Sequence, residues 1–263
     1  MKWVCGIEYD GTKYFGWQKQ KLVCTIQACV EKVLSTIANH NISLICAGRT
    51  DRGVHGITQI VHFSTTSIRS EKEWLFGANS LLPKDITILW LQRISESFNA
   101  RFSALSRSYR YIIFNNSTRS SFLEKYSYHL RDILNIENMK IAGQYLLGQH
   151  DFSAFRSSGC QSLSPYRTIY FLHIFQVKKF VVIDVIANSF LYHMVRNIVG
   201  CLILIGLSVH KHRWIKKILD NKEHIKKYST APSRGLYFLS ASYPLHFLVP
   251  SKCYLSSFFS FFS

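Results

Sequence analysis

The sequence predicts an α/β (α+β) fold made of two ferredoxin-like β-α-β-β-α-β halves, with antiparallel and mixed sheets joined across a central cleft. Three observations carry this expectation. Period-two and helix-period stretches follow one another in the order β-α-β-β-α-β over the first hundred residues. The same order recurs in the remainder, and no low-complexity linker separates the two copies, so the boundary falls near 98–106. The halves are assigned to 1–100 and 101–250, followed by an apolar tail, 251–263, that contains SSFFSFFS.

Trp3, Cys5, Ile7 and Tyr9 alternate with other residues as a strand, which Asp10-Gly11 ends in a turn. Thr25 is placed to cap a helix whose apolar face is Ile26, Cys29, Val30, Val33, Leu34 and Ile37. Strand-like runs follow at 42–46 and 57–63. Ser70 and Glu73 form a capping box for a short helix carrying Trp74, Leu75 and Ala78, and 86–94 is rich in β-formers. In the second half, 108–114 alternates and 136–147 is helical, closed by Gly148. Strands are expected at 168–177 and 180–186, a long apolar helix at 190–207, and a last strand at 236–241.

The 263 residues carry 32 Lys+Arg against 15 Asp+Glu, a formal charge of +17. Like charges at this density repel unless phosphates or anionic lipid neutralise them, so a polyanion, nucleic acid first, is the expected partner. Biased codon usage can also enrich Lys, Ile and Phe, so charge alone does not assign that partner. With 48% hydrophobic residues the chain has ample material for a core, and wholesale disorder is excluded. Seven cysteines, an odd number without a CxxC pair, read as reduced thiols of a cytoplasmic protein. No leader segment is visible, and the most apolar stretch, 198–209, is shorter than the roughly 20 residues needed to span a bilayer. His55, His210 and His212 lack an acidic or Cys partner at ligand spacing, so no metal is expected.

The segment Ala47-Gly48-Arg49-Thr50-Asp51-Arg52-Gly53-Val54-His55-Gly56 concentrates the chemistry. Three glycines let the backbone turn sharply and approach a ligand, and Arg49 and Arg52 flank one carboxylate. That pattern suits an ionised nucleophile with phosphate-binding arginines. It equally suits a turn whose Asp caps its own backbone beside solvated arginines.

AGRTDRGVHG resembles the GRTDAGVHA/G signature of the TruA family of tRNA pseudouridine synthases. GIEYDGTKYFGWQKQ, NARFSALSRSYRYII, DFSAFR followed by CQS, NSFLYHMVRNIVG and GLYF resemble further segments of that family in the expected order, over nearly the whole chain. The resemblance implies isomerisation of uridine to pseudouridine at positions 38–40, on the 3′ side of the tRNA anticodon stem-loop. It implies Asp51 as nucleophile and Tyr109 as the residue that stacks on the extruded base. Arg196 is implied to pair with the nucleophile, and Leu236 to wall the pocket against water. The cleft would bind RNA, the partner would be tRNA, and the protein a cytoplasmic homodimer without membrane association. The reaction is a rearrangement, for which no cofactor or metal is implied. Attack on the ribose and attack on the base both remain open.

Arg49 and Arg52 are the candidate substrate-binding residues, with Lys13, Lys19, Arg101, Arg107, Arg110, Arg156 and Arg167 as further phosphate candidates. Arg52 departs from the small Ala usual in the family: it either adds a phosphate contact or crowds the loop. Two other readings of the charge stand beside the enzyme. One is a non-catalytic RNA-binding protein, although nothing resembles the aromatic RNP1 pattern. The other is a membrane-surface protein, which accounts for the charge but not for the loop.

Overall fold

The structure is a computed structural model that describes residues 1–222 and 230–250. The expected apolar tail, 251–263, lies outside the described residues. The chain forms two compact units, Met1–Arg107 together with 237–250, and Ser108–Leu236. Both mix helices with mainly antiparallel strands.

In the first unit, β1 (Lys2–Tyr9) lies between β3 (His55–Ser64) and β4 (Ile86–Ile94), antiparallel to both. Two helices, α1 (Ile26–Ala38) and α2 (Glu71–Leu81), contribute to one core with this sheet. Trp3, Cys5, Ile7 and Tyr9 face Ile26, Val30, Leu34, Trp74 and Ala78 in that core. Both helix starts carry the expected caps. Thr25 accepts from the Ala28 amide, and Ser70 and Glu73 satisfy each other's backbone amides. The alternation of β1 does not mark a half-exposed strand, because Val4 is buried as well as its neighbours. A central strand with cover on both faces keeps its period in residue identity but not in exposure.

The 42–46 run shrinks to a two-residue strand, β2 (Ile45–Cys46), paired to the far end of β3. The other end of β3 pairs in parallel with β10 (Leu236–Ser242), through Tyr237 opposite His55 and Phe238 opposite Gly56. Contacts therefore return 237–250 to the first unit, whereas chain order places these residues in the second half.

In the second unit, β5 (Ser106–Asn115) neighbours β9 (Phe180–Ala187), which pairs with β8 (Tyr166–Val177), which in turn pairs with β7 (Gly148–Asp151). A short β6 (Tyr128–Leu130) runs parallel to β5. Helix α3 (Ile136–Gln144) packs closely on β8: a Cβ at Gly143 would stand 2.7 Å from Leu172. Helix α4 (Met194–Gly206) begins four residues later than the apolar run implies. His193 adopts φ +61°, a left-handed conformation that a helix interior does not admit, and so sets the helix start. Helix α5 (Trp214–Asn221), β6 and β7 are elements that periodicity did not mark.

One buried base of the first unit makes stability depend on pH. The Ala100 amide donates to His62 Nδ1 at 3.0 Å, and burial, then the charge of Lys2, lower the pKa of this ring to about 4. An unfolded histidine takes up its proton near about 6.5, so between these values the unfolded chain binds more protons. The contribution is fully present above the unfolded pKa and is lost as pH falls through the folded one. Urea unfolding is expected to show roughly 2 kcal/mol less stability at about pH 5 than at about pH 7. His62→Gln, whose amide oxygen can accept the same bond, is expected to flatten that difference. An equal pH dependence in both proteins would rule out His62 as its source.

Candidate active site

The loop between β2 and β3 is held from both sides by short backbone contacts. Ala47 N donates to Ile60 O at 2.8 Å, and the buried Gln59 side chain brackets Gly48, accepting from its amide at 3.4 Å and donating to its carbonyl at 2.5 Å. Buried Thr50 meets the Tyr9 hydroxyl at 2.8 Å, and its carbonyl accepts from Trp17 N at 3.0 Å. Asp51 follows, half-buried. Val54 N donates to Asp51 O at 3.2 Å, closing a turn over Arg52 and Gly53. Gly53 sits at φ +76°, the third position of such a turn, where a side chain is strained.

The segment 11–17 cradles this turn. A Cβ on Gly16, itself at φ +86°, would stand 2.6 Å from Thr50 O and 3.0 Å from the Asp51 carbonyl carbon. A Cβ on Gly11 would stand 2.0 Å from Val54 O. The two motifs GIEYDGTKYFGWQ and AGRTDRGVHG are thus one structural feature, in which glycines allow backbone to touch backbone. Beside it, His55 Nδ1 lies 3.2 Å from Asp10 Oδ1, and the His55 ring stacks on Tyr237 at 4.8 Å. Burial pushes the Asp10 carboxyl up, but hydrogen bonds with His55 and Thr12 outweigh it and hold this group well below the usual carboxylate range.

Arg52 projects from the turn into solvent, its guanidinium 4.2 Å from the centroid of the Phe15 ring. This placement gives the departure from Ala room outside the loop. Arg49 is exposed on the other side of Asp51 in sequence. Arg107 has a supporting role that its sequence context did not reveal. Its Nε and Nη2 donate to Ala47 O at 3.2 and 3.1 Å, and its Nη1 donates to Ala104 O at 3.0 Å.

The second unit holds the other three residues singled out. Tyr109 lies on β5, 7% exposed, with its ring edge-on to Phe190 at 5.1 Å. Its neighbour Arg110 makes a two-pronged bond to Asp184, both contacts 2.7 Å. Arg196, half-buried on α4, donates from Nε to Ala231 O at 2.7 Å, and Ala231 N donates back to Arg196 O at 3.2 Å. Asn197 reaches Phe155 O and accepts from Thr230, both at 2.8 Å. Arg196 and Asn197 are therefore laced to 230–231. Leu236, which opens β10, is buried. Its predecessor Gly235 passes so close to β5 that a Cβ would stand 2.7 Å from Ile112 O.

Among the weaker phosphate candidates, Arg107, Arg110 and Arg167 have protein partners. Arg167 is buried and donates to Ser164 O, Tyr166 O and Ser162 Oγ at 2.9, 2.5 and 2.6 Å. Arg156 donates to Cys160 O at 3.4 Å, Lys13 and Lys19 face Asp85 and Glu31 at 3.8 and 3.1 Å, and Arg101 lies over Phe102. Among the described residues, no group of three or more His, Cys, Asp or Glu side chains could hold a metal ion, and no helix is long and apolar enough to cross a membrane.

An α+β scaffold that presents one carboxylate on a glycine-cradled, arginine-flanked turn is a frame suited to an enzyme that acts on nucleotides. Residues 7–103 and 142–244 match the family described as tRNA pseudouridine synthase. Three relatives bear the name tRNA pseudouridine synthase A. The protein of Buchnera aphidicola subsp. Schizaphis graminum is 53% identical over 249 residues, 95% of this chain and 94% of that one. That of Buchnera aphidicola subsp. Acyrthosiphon pisum (strain Tuc7) is 50% identical over 254 residues, 97% and 96%. That of Vibrio cholerae serotype O1 (strain ATCC 39541) is 48% identical over 250 residues, 95% of each chain. The chain belongs to the tRNA pseudouridine synthase family.

Proposed function

We propose that this protein isomerises uridine to pseudouridine in the 3′ side of the tRNA anticodon stem-loop, with Asp51 as nucleophile. The observation that carries this reading is the Asp51 turn, whose backbone is clamped by Gly11, Gly16, Thr50 and Gln59 in a chain of this family. A nucleophile gains most from a fixed approach, and a clamped backbone supplies it without further reorganisation. Over the reaction the bond from ribose C1′ to uracil N1 breaks and a bond from C1′ to C5 forms. N1 takes up a proton and C5 gives one up, so the change balances without an electron acceptor.

Tyr109 would stack on the base, Arg196 would pair with the nucleophile, and Leu236 would keep water from the intermediate. Arg49 and Arg52 would contact phosphates. A net charge of +17 supports gripping of RNA backbone and shape, which positions a substrate without reading its sequence. The working form is a cytoplasmic homodimer.

The test is conversion of an unmodified tRNA anticodon stem-loop by the purified protein in the presence of a chelator. Pseudouridine is expected at the 3′-side uridines, with binding that weakens steeply as salt rises. Tight, salt-sensitive binding with no pseudouridine formed would overturn the enzymatic reading and leave an RNA-binding protein.

A further inference from the structure

We infer that Phe102 is a stacking platform for an unpaired nucleobase of the RNA, a positioning residue tied mechanically to the Asp51 turn. This rests on the proposed RNA substrate. Phe102 is 77% exposed, whereas Phe98, four residues earlier, is fully buried against His62, Tyr243 and Phe247. An aromatic side chain left in water on a mobile loop tip is unremarkable, but this one is held in place.

Asn99 Oδ1 accepts from the amides of both Arg101 and Phe102, at 3.0 and 3.1 Å, and Ser103 closes the loop on Asn99 through its amide and hydroxyl. Ala100 is pinned at both polar atoms: its amide donates to His62, and its carbonyl accepts from the Tyr243 hydroxyl at 2.7 Å. The exposed ring therefore stands on a fully wired loop. The Arg101 guanidinium lies 5.2 Å from the ring centroid. A cation beside an exposed aromatic face is a combination that single-stranded nucleic acids recognise, because every base has a π-face and every nucleotide a phosphate. The connection to the reaction runs through Arg107, which donates to Arg101 O and Ala104 O in this loop and to Ala47 O at the start of the loop bearing Asp51. A base seated on Phe102 would thus rest on a loop that Arg107 ties to the loop bearing Asp51.

The experiment compares wild type with Phe102→Ala, Phe102→Leu and Phe102→Tyr, using an unmodified anticodon stem-loop. Dissociation constants are measured at several salt concentrations, alongside conversion kinetics and melting temperature. Loss of one stacked base is expected to weaken binding by about 5- to 150-fold in the Ala and Leu proteins, with Tyr within about twofold of wild type. The slope of log Kd against log salt is expected to stay unchanged, because no phosphate contact is removed. Unaltered melting temperatures separate this from a structural defect. Wild-type affinity in Phe102→Ala, or a Leu protein as good as the Tyr protein, would overturn the inference. If wild type binds the RNA but forms no pseudouridine, the proposed function fails while the affinity series still decides the role of Phe102. If wild type does not bind RNA, both fail.

Discussion

Asp51→Asn is expected to lower uridine conversion by about four orders of magnitude or more, while tRNA affinity stays within about twofold of wild type. The substitution preserves volume. The turn bond from Val54 N to Asp51 O, at 3.2 Å, runs through the backbone and does not depend on the side chain. Thr50, Gly48 and the glycines of 11–17 continue to hold the chain at either side, so the loop is expected to keep its path. What is lost is the carboxylate oxygen proposed to form the covalent bond, and an amide cannot replace it. Rapid-quench conversion assays with a parallel binding titration separate the two quantities. Conversion at even a tenth of the wild-type rate would remove Asp51 from the nucleophile's role.

Gly16→Ala is expected to be among the most damaging substitutions outside the loop itself. The added methyl group would have to occupy space 2.6 Å from Thr50 O and 3.0 Å from the Asp51 carbonyl carbon, on a residue already at φ +86°. Neither obstacle is the end of a flexible side chain, so relief requires the Asp51 turn to move away. Left-handed strain alone costs about 1–3 kcal/mol, and a displacement of about 1 Å in a reacting group costs about a hundredfold in rate. We expect both: a lower melting temperature and kcat reduced by two orders of magnitude or more, with binding less affected. Gly11→Ala, whose Cβ would meet Val54 O at 2.0 Å, is expected to behave in the same way. A Gly16→Ala protein with wild-type kcat would show that the cradle does not position the nucleophile.

The stability and the rate are linked here by one arrangement of backbone. Two segments more than thirty residues apart in sequence meet without side chains between them, through Trp17 N to Thr50 O and Gly53 N to Tyr14 O. Neither segment could hold its conformation alone. The 11–17 stretch has only a single 3₁₀ turn, capped by Asp10, and the 47–54 stretch has no regular structure. Their mutual packing holds the Asp51 turn in a fixed place, as the proposed nucleophile would require.

Local chemistry was legible wherever a few neighbouring residues decide the outcome. The helix starts at Thr25 and Ser70 follow from side-chain oxygens that reach amides three residues ahead, a contact set by spacing alone. The β-branched and aromatic runs of β3, β4, β8 and β9 likewise appear close to where they were expected. The loop containing Asp51 stood out by its glycines and arginines, and its family resemblance carried the chemistry. Long-range choices were not legible. Arg107, Arg110 and Arg167 look alike in sequence, yet one anchors a loop, one pairs with Asp184 and one is buried among carbonyl groups. For Arg107 and Arg110 the partner is 60 and 74 residues away, and for Arg167 it is the path of the neighbouring 162–166 backbone that decides.

The sequence by itself determined the α+β composition, the order of the main elements, the family and the residue types available for chemistry, because these depend on short-range periodicity and on motif identity. The tertiary structure alone decided that β10 runs beside β3, where it places Tyr237 against His55, and that α4 starts at Met194 rather than four residues earlier. It also decided that glycines from one motif clamp the Asp51 turn in another. The strand pairing and the glycine clamp are contacts between residues far apart in the chain, and their energy exists only once folding has brought both partners to the same place.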